Sequence, residues 1–185
     1  MNIILFGQPG AGKGTQAKNL WKKFGIPHIA TGDILRDAME EGTSLGKEAA
    51  PYLATGKLVP DALVSGLVME RLRAEDCRKG FVLDGYPRTA PQVEVLEATL
   101  KEQGKKIDKV VFIEVPPAVL LERVKGRGRE DDTLETVELR RIDFKNLTEP
   151  VKQGYAKRNL LATVDGLGTT EEVFERILKS LPQNS

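Results

Sequence analysis

Apolar residues follow two patterns along this chain: short continuous runs, and longer stripes with a helical period. The runs have the length of buried strands and cover 3–6, 26–30, 81–83, 110–115 and 160–164, and their only polar residues are His28, Glu114 and Thr163. Apolar residues elsewhere return every three or four positions, as in the stripe of Ala17, Leu20, Trp21 and Phe24. Strands that alternate with helices predict an α/β fold, in which a five-stranded parallel sheet is covered on both faces.

Polar residues at the edges of these stripes predict where helices begin. Thr89 with Gln92, and Thr169 with Glu172, have the spacing of a capping box. Both pairs therefore predict a helix start.

Other helix limits follow from single residues. Thr31 and Asp33 are good capping residues for the helix that follows them, and Asp132 could cap the next long pattern. That pattern covers about 133–157, and Pro150 should kink or interrupt it because proline lacks a backbone N–H.

Length and charge suit one domain with a substantial core. The chain has 185 residues and a net charge of +1, which argues against a general nucleic-acid binder. One cysteine, Cys77, excludes an internal disulfide framework and fits a reducing compartment. With no signal peptide and no run near the roughly 20 apolar residues that span a bilayer, we expect a cytoplasmic protein away from membranes. The only histidine, His28, predicts no metal site.

Residues 7–15 contain the spacing G-x-x-x-x-G-K between the first predicted strand and the first helix. In that context the spacing predicts a phosphate-binding loop, since glycines let backbone N–H groups converge on an anion. The helix start adds its dipole and Lys13 adds a full charge. Gly14 follows the lysine, and the hydroxyl comes at Thr15. The alternative is a glycine-rich turn without a ligand.

More arginines accompany this loop than one triphosphate needs. They are Arg36, Arg88, Arg123, Arg127, Arg129 and Arg140. Guanidinium groups clamp phosphate in a fork, so the surplus suggests two phosphorylated ligands facing each other. Asp84 ends the third strand, where a carboxylate that coordinates magnesium or orients water belongs. No side-chain base is needed if the acceptor is an anionic phosphate oxygen.

Simpler interpretations stay open for several of these residues. Capping alone could explain Gln92, as well as Thr31 and Asp33. The charged run 123–132 could be a solvated segment neutralised by its own acids. Glycines beside its arginines favour a loop that closes over a site.

Five motifs in order resemble the adenylate kinase family in its short-lid form. They are 7–16 (GQPGAGKGTQ), 31–36 (TGDILR), 56–61 (GKLVPD), 81–88 (FVLDGYPR) and 126–132 (GRGREDD). The resemblance covers essentially the whole chain, and the family also has glycine and then threonine after the loop lysine.

This resemblance implies reversible phosphoryl transfer from Mg-ATP to AMP, giving ADP, on the P-loop nucleoside monophosphate kinase fold. It implies one kinase domain, 1–185, with a monophosphate-binding insert at 30–59 and a lid at 126–132. The implied ATP contacts are Gly10, Ala11, Gly12, Lys13, Gly14, Thr15, Arg123, Arg127 and Gly168. The implied AMP contacts are Thr31, Arg36, Lys57, Leu58, Val59, Gly85, Tyr86, Pro87, Arg88, Gln92, Arg129 and Arg140.

Roles within these sets also follow from the resemblance. Thr31 and Gln92 would read adenine, and Asp84 would organise Mg²⁺ through water. The implied catalytic residues are Lys13, Arg88, Arg123, Arg127, Arg129 and Arg140. A short lid without cysteine implies no zinc. The implied ligands are ATP, AMP and ADP, with no nucleic acid or membrane, and the family suggests a monomer.

Two other functions compete with this one. Kinases for UMP and CMP share most of the motifs but tend to have alanine at the place of Thr31. A nucleotide-binding switch would use the phosphate loop without phosphoryl transfer. The arginines at 36, 88, 129 and 140 argue against a switch, which needs no second phosphate site.

Overall fold

The computed structural model describes residues 1–126, 128 and 132–182. The strands are β1 (Asn2–Phe6), β2 (His28–Ala30), β3 (Phe81–Asp84), β4 (Lys109–Glu114) and β5 (Leu161–Asp165). The helices are α1 (Lys13–Phe24), α2 (Thr31–Glu40), α3 (Ser44–Ala54), α4 (Asp61–Leu72), α5 (Ala90–Glu102), α6 (Pro117–Lys125), α7 (Leu134–Asp143), α8 (Glu149–Lys157) and α9 (Thr170–Ser180). None of these helices has the length and apolar character that crossing a bilayer requires.

The five strands pair in parallel in the order β2-β3-β1-β4-β5, which confirms the parallel α/β prediction. β1 lies at the centre, between β3 and β4. The chain passes from β1 to β2 at one edge, returns to β3 beside β1, and then crosses to β4 on the other side of β1. A crevice forms at the carboxyl ends of the strands where the direction of the connections reverses. The phosphate loop, 7–12, leaves β1 at this crevice.

β1 shows how the sheet is buried on both faces. Ile3 and Leu5 pack into one apolar cluster with residues of α1 and α9, whereas Ile4 and Phe6 pack into a second cluster with residues of α4, α5 and α8. All four side chains are buried. A strand with two buried faces needs a continuous apolar run rather than an alternating one, which explains the run in the sequence.

The predicted helix over 133–157 is interrupted, as Pro150 suggested. α7 ends at Asp143, one π-helical turn covers Phe144–Thr148, and α8 begins at Glu149. Pro150 stands in the first turn of α8, where its missing N–H costs no helical hydrogen bond. The π-helical turn therefore comes just before the proline, and the backbone stays helical through it.

β2 is shorter than the predicted run 26–30, since it begins only after Pro27 and covers His28–Ala30. Pro27 has no N–H to give to the sheet, but its carbonyl accepts a hydrogen bond from Val82 N at 2.8 Å.

Two helix starts are confirmed. The hydroxyl of Thr89 accepts from the backbone N–H of Gln92 at the start of α5. Thr169 and Glu172 form a complete capping box at the start of α9, with bonds of 3.2 Å and 2.8 Å.

Two other capping predictions are wrong. Thr133, rather than Asp132, caps α7, because the Thr133 hydroxyl accepts the N–H three residues later. α2 begins at Thr31 itself and its preceding residue, Ala30, makes no side-chain cap, so neither Thr31 nor Asp33 caps this helix. The polar groups of these residues are used in the cleft described below.

Close packing of α2 against α3 depends on Gly46. A β carbon on Gly46 would lie 2.0 Å from the backbone oxygen of Ala38, which is a rigid neighbour. Gly66, inside α4, has no atom within 4 Å of the same position.

We therefore expect Gly46→Ala to lower the free energy of unfolding by about 2 kcal/mol, because the added methyl overpacks the contact. Gly66→Ala is the matched control and should raise it by up to about 1 kcal/mol, since alanine favours a helix over glycine. Urea denaturation measures both variants. Equal effects would contradict the packing described for α2 and α3.

Candidate functional site

A cleft with a cavity of about 500 Å³ lies at the carboxyl edge of the sheet. That volume is typical of a small-molecule site. It is lined by most of the residues that the sequence singled out: Gly10, Gly12, Lys13, Gly14, Thr15, Thr31, Arg36, Lys57, Leu58, Val59, Asp84, Gly85, Pro87, Arg88, Gln92, Arg123 and Arg140.

Three of the expected contacts do not line this cavity. Ala11 and Tyr86 are buried, and Gly168 lies outside the lining residues. Arg127 and Arg129 lie outside the described residues. Contact of these five residues with a nucleotide stays a prediction.

Several residues that line the cleft belong to none of the sequence motifs. His28 lines the cleft, as do Asp143, Phe144 and Thr148 at the end of α7 and in the π-helical turn. A spacing of three residues places Arg140 and Asp143 on one face of α7, a signal that the sequence contained.

The phosphate loop depends on glycine at two positions. Gly10 and Gly12 have φ of 86° and 92°, a region that residues with a β carbon rarely enter. A β carbon on Gly10 would also lie 2.6 Å from the backbone oxygen of Leu120, in α6. The loop can therefore pass close to α6 only with glycine there.

Lys13 is held against the loop that precedes it. Its Nζ donates to the carbonyl oxygens of Gly7 at 2.8 Å and Gln8 at 3.2 Å. The first turn of α1 begins at this lysine, so the ammonium and the positive end of the helix dipole share one place.

Asp84 ends β3 with its Oδ2 atom 3.3 Å from His28 Nε2. Burial acts to raise the pKa of Asp84, but the His28 hydrogen bond and the charges of Lys13 and Arg88 outweigh it, so this pKa is lowered. Asp84 is therefore an ionised carboxylate at neutral pH, close to Gly14 of the loop.

Arg88 follows β3 and is fixed by its Nε, which donates to the Gly85 carbonyl at 2.7 Å. Burial lowers the pKa of Arg88, the charges of Arg140 and Arg36 lower it further, and Asp84 and Asp143 oppose them. Arginine keeps its charge despite such shifts. The guanidinium group of Arg88 thus lies close enough to those of Arg36 and Arg140 to be repelled by both.

Carboxylates hold the other two arginines in place. Arg36 pairs with Asp33 one turn earlier on α2. Arg140 pairs with Asp132 at 2.9 Å, and the side chain of Asp132 is 3% exposed. Asp132 does not cap α7, and its carboxylate orients Arg140 in the cleft.

Thr31 and Gln92 both line the cleft and are buried. The hydroxyl of Thr31 donates to the Gly85 carbonyl at 3.2 Å. Gln92 Oε1 accepts from Arg88 N, and Nε2 donates to Asp61 Oδ1, each at 2.7 Å. The Gln92 side chain does not complete the capping box, and its amide keeps one N–H and one lone pair for another partner.

Two contacts bring the remaining walls to the cleft. Arg123, in the last turn of α6, donates to the carbonyl of Gly166 at 3.0 Å, in the turn after β5. A β carbon on Gly56 would lie 2.8 Å from the Cα of Thr136. The segment that ends with Gly56 therefore packs directly against α7.

Comparisons with known proteins agree on one family. A family model described as adenylate kinase matches residues 5–160. An adenylate kinase of Methanosarcina barkeri is 45% identical, with 96% of this chain and 96% of the relative covered. An adenylate kinase of Mycobacterium tuberculosis is 48% identical, with 98% of this chain and 99% of the relative covered.

We expect Asp84→Asn to make the free energy of unfolding fall less steeply as the pH is lowered. The pKa of Asp84 is lower in the folded chain than in the unfolded chain, where it is about 3.9. Ionised Asp84 therefore stabilises the fold above about pH 4, and the contribution is lost as the pH falls through the folded pKa. Urea denaturation between about pH 5 and pH 3 should show a shallower slope for the variant, whereas identical slopes would contradict the shift.

Proposed function

The chain belongs to the adenylate kinase family and transfers a phosphoryl group from ATP to AMP, and we propose that one cleft holds both nucleotides with their phosphates facing each other. One observation carries this proposal. A phosphate loop and three arginines outside it, Arg36, Arg88 and Arg140, line the same cavity of about 500 Å³. Guanidinium groups bind phosphate oxygens in a fork, so three of them beside a phosphate loop suit a second phosphorylated ligand next to the triphosphate.

ATP occupies the loop side in this proposal. Residues 10–15 surround its phosphates with backbone N–H groups and the dipole of α1. Lys13 now bonds two neutral carbonyls, and phosphate oxygens are stronger acceptors for its ammonium. Arg123 reaches the same ligand from α6, and Gly168 lies by the adenine after β5.

AMP occupies the opposite side. Arg36 and Arg88 clamp its phosphate, since a dianion relieves the repulsion between neighbouring guanidinium groups. Arg140 lies between the two phosphate sites and bridges them. Segment 57–59 and the backbone of Gly85 and Pro87 form the walls around the nucleoside.

Thr31 and Gln92 select adenine in this arrangement. The spare N–H and lone pair of Gln92 match the N1 acceptor and the amino donor on the adenine edge. The Thr31 oxygen can accept from the same amino group, because its own proton goes to Gly85. Tyr86 acts from behind, since its hydroxyl donates to the Gln92 carbonyl at 3.0 Å.

The residues of the loop fit Mg²⁺ held mainly by the nucleotide. Asp84 is ionised, and Thr15 offers a hydroxyl on the same side. No group of three or more His, Cys, Asp or Glu side chains is arranged to hold a metal among residues 1–126, 128 and 132–182. Mg²⁺ commonly takes one carboxylate, with water and phosphate as its other ligands. When bound, the ion neutralises charge on the donor phosphates.

Transfer then requires position and charge rather than a side-chain base. The acceptor is a phosphate oxygen that is already anionic, and the cations draw the two phosphates together against their own repulsion. We propose that 30–59 and 126–132 close over the cleft and exclude water. The contact between Gly56 and Thr136 supports a meeting of the first segment with the helix after the second. Arg127 and Arg129, outside the described residues, would add contacts from the lid.

We also propose that the chain acts as a monomer in the cytoplasm. The large exposed apolar side chains of the described residues are divided among α1, α5, α6, α7, the π-helical turn and the turn after β5. Sedimentation velocity should show one species near 20.4 kDa, and a species of twice that mass would contradict the proposal.

³¹P NMR tests the reaction and its acceptor together. The protein is mixed with Mg-ATP and, in separate tubes, AMP, CMP, UMP or GMP. We expect ADP signals to grow rapidly with AMP, and far more slowly with the other acceptors. Preference for CMP or UMP would overturn the adenine site. Transfer to no acceptor, with ATP still bound, would overturn the kinase function.

The same assay separates the loop lysine from its neighbours. Lys13→Met should lower turnover by orders of magnitude and leave the fold intact, because the ammonium stabilises charge on the transferring group. Lys22→Met, an exposed lysine on the same helix, is the matched control and should keep its activity. Near-normal turnover of Lys13→Met would contradict the role of Lys13.

Arginines on the two sides of the cleft should give opposite kinetic effects. We expect Arg88→Ala to raise the KM for AMP about tenfold and the KM for ATP much less, since it removes a charged hydrogen bond to one phosphate. Arg123→Ala should do the reverse. Steady-state kinetics with each nucleotide varied in turn measures both. Equal changes in both KM values would remove Arg88 from the AMP side.

A further inference from the structure

Asp61 is the first residue of α4 and lies two residues after the segment that lines the cleft at 57–59. The side chain of Asp61 joins two residues at the start of α5. Its Oδ1 accepts from Gln92 Nε2 and its Oδ2 accepts from the hydroxyl of Thr89, each at 2.7 Å. One carboxylate thus ties the start of α4 to the start of α5.

These bonds fix which way the Gln92 amide points. An ionised carboxylate only accepts, so the NH₂ end of Gln92 must face Asp61. On its other side, the backbone N–H of Arg88 only donates, so the Oε1 end must face Arg88. Turning the amide over would bring two donors together and two acceptors together, and would break both bonds.

α4 also holds the backbone of Gln92 through Tyr86. The Tyr86 hydroxyl donates its proton to the Gln92 carbonyl at 3.0 Å. Ser65 lies 2.9 Å from the same phenol oxygen and must therefore be the donor in that pair. Because Tyr86 is fully buried, this chain excludes water, and the Gln92 backbone has little freedom.

We propose that Asp61 is a positioning residue that sets the orientation of the Gln92 amide and thereby the preference for an adenine acceptor. The inference rests on the proposed function, in which Gln92 reads the base of AMP. Adenine offers an acceptor at N1 and a donor at its amino group. Hypoxanthine offers the reverse, a donor at N1 and an acceptor at O6. An amide held by both Asp61 and the Arg88 N–H matches adenine. Without Asp61 the amide can turn over at the cost of one hydrogen bond, and the turned amide matches hypoxanthine.

Asp61→Ala tests this with AMP and IMP as acceptors. We expect the KM for AMP to rise about tenfold, since the amide of Gln92 loses the carboxylate that accepts from its Nε2, and Thr89 loses the same partner. The turnover at saturating AMP and the KM for ATP should stay within about twofold, because Asp61 does not line the cleft. The ratio of kcat/KM for AMP to that for IMP should fall about fivefold or more, a change that general loosening of the fold would not produce.

A double-mutant cycle shows whether Asp61 acts through Gln92. In a Gln92→Ala background, Asp61→Ala should change the KM for AMP by less than about twofold, since the amide it orients is absent. Equal fold-changes in the two backgrounds would overturn the proposal. Glu149→Ala is the matched control, because it removes a first-turn carboxylate from α8, where Glu149 pairs with Lys152. It should leave both acceptor preferences unchanged.

Two further measurements keep the outcomes distinct. If Asp61→Ala does not fold, as judged by its thermal unfolding, Asp61→Asn keeps the shape and replaces one acceptor oxygen with a donor. In that variant the KM for AMP should rise about threefold, and the KM for ATP should rise much less. An unchanged KM for AMP in Gln92→Ala would overturn the proposed adenine site itself. A raised KM in Gln92→Ala, with no change in Asp61→Ala or Asp61→Asn, would overturn the role of Asp61 alone.

Discussion

Cations that repel one another have to be held together before they can bind phosphate, and the cleft depends on this constraint. Burial and the charges of Arg36 and Arg140 lower the pKa of Arg88, whereas Asp84 opposes them. The hydrogen bond with His28 and the charges of Lys13 and Arg88 keep Asp84 ionised despite its burial. Asp84 and Arg88 therefore stabilise each other's charged form. Phosphates entering this cleft replace repulsion by attraction, which is why the groups are positioned in advance.

The sheet supplies the positions. β1 and β3 are neighbours in the parallel sheet, so the phosphate loop and the segment from Asp84 to Arg88 begin at the same edge. α7 returns Arg140 to that edge, where Asp132 holds it. Thr31 and Gln92, which we propose read the acceptor base, line the same cleft and are buried and bonded within the protein. The phosphate loop, the arginines and the two buried polar residues thus share one cleft at the carboxyl ends of the strands.

The sequence could predict what depends on local spacing. The phosphate loop, the parallel sheet and the break near Pro150 were predictable, since each depends on neighbours in the chain. The partners of Asp132 and Gln92 were not. Each of the two could have taken part in a helix cap nearby in the chain. Instead, Asp132 pairs with Arg140 and the Gln92 side chain bonds Asp61, and neither partner is a neighbour in the chain. His28 gave no signal, because its partner Asp84 lies on another strand.

Binding of a molecule with two adenosines joined by a pentaphosphate bridge tests the central claim most directly, because it carries both nucleotides at once. Isothermal titration calorimetry should give one molecule bound per chain, tighter than ATP or AMP alone. Saturation with ATP, or with AMP, should each abolish that tight binding. If only one of the two nucleotides competes, or if two molecules bind per chain, the two phosphate sites do not share one cleft.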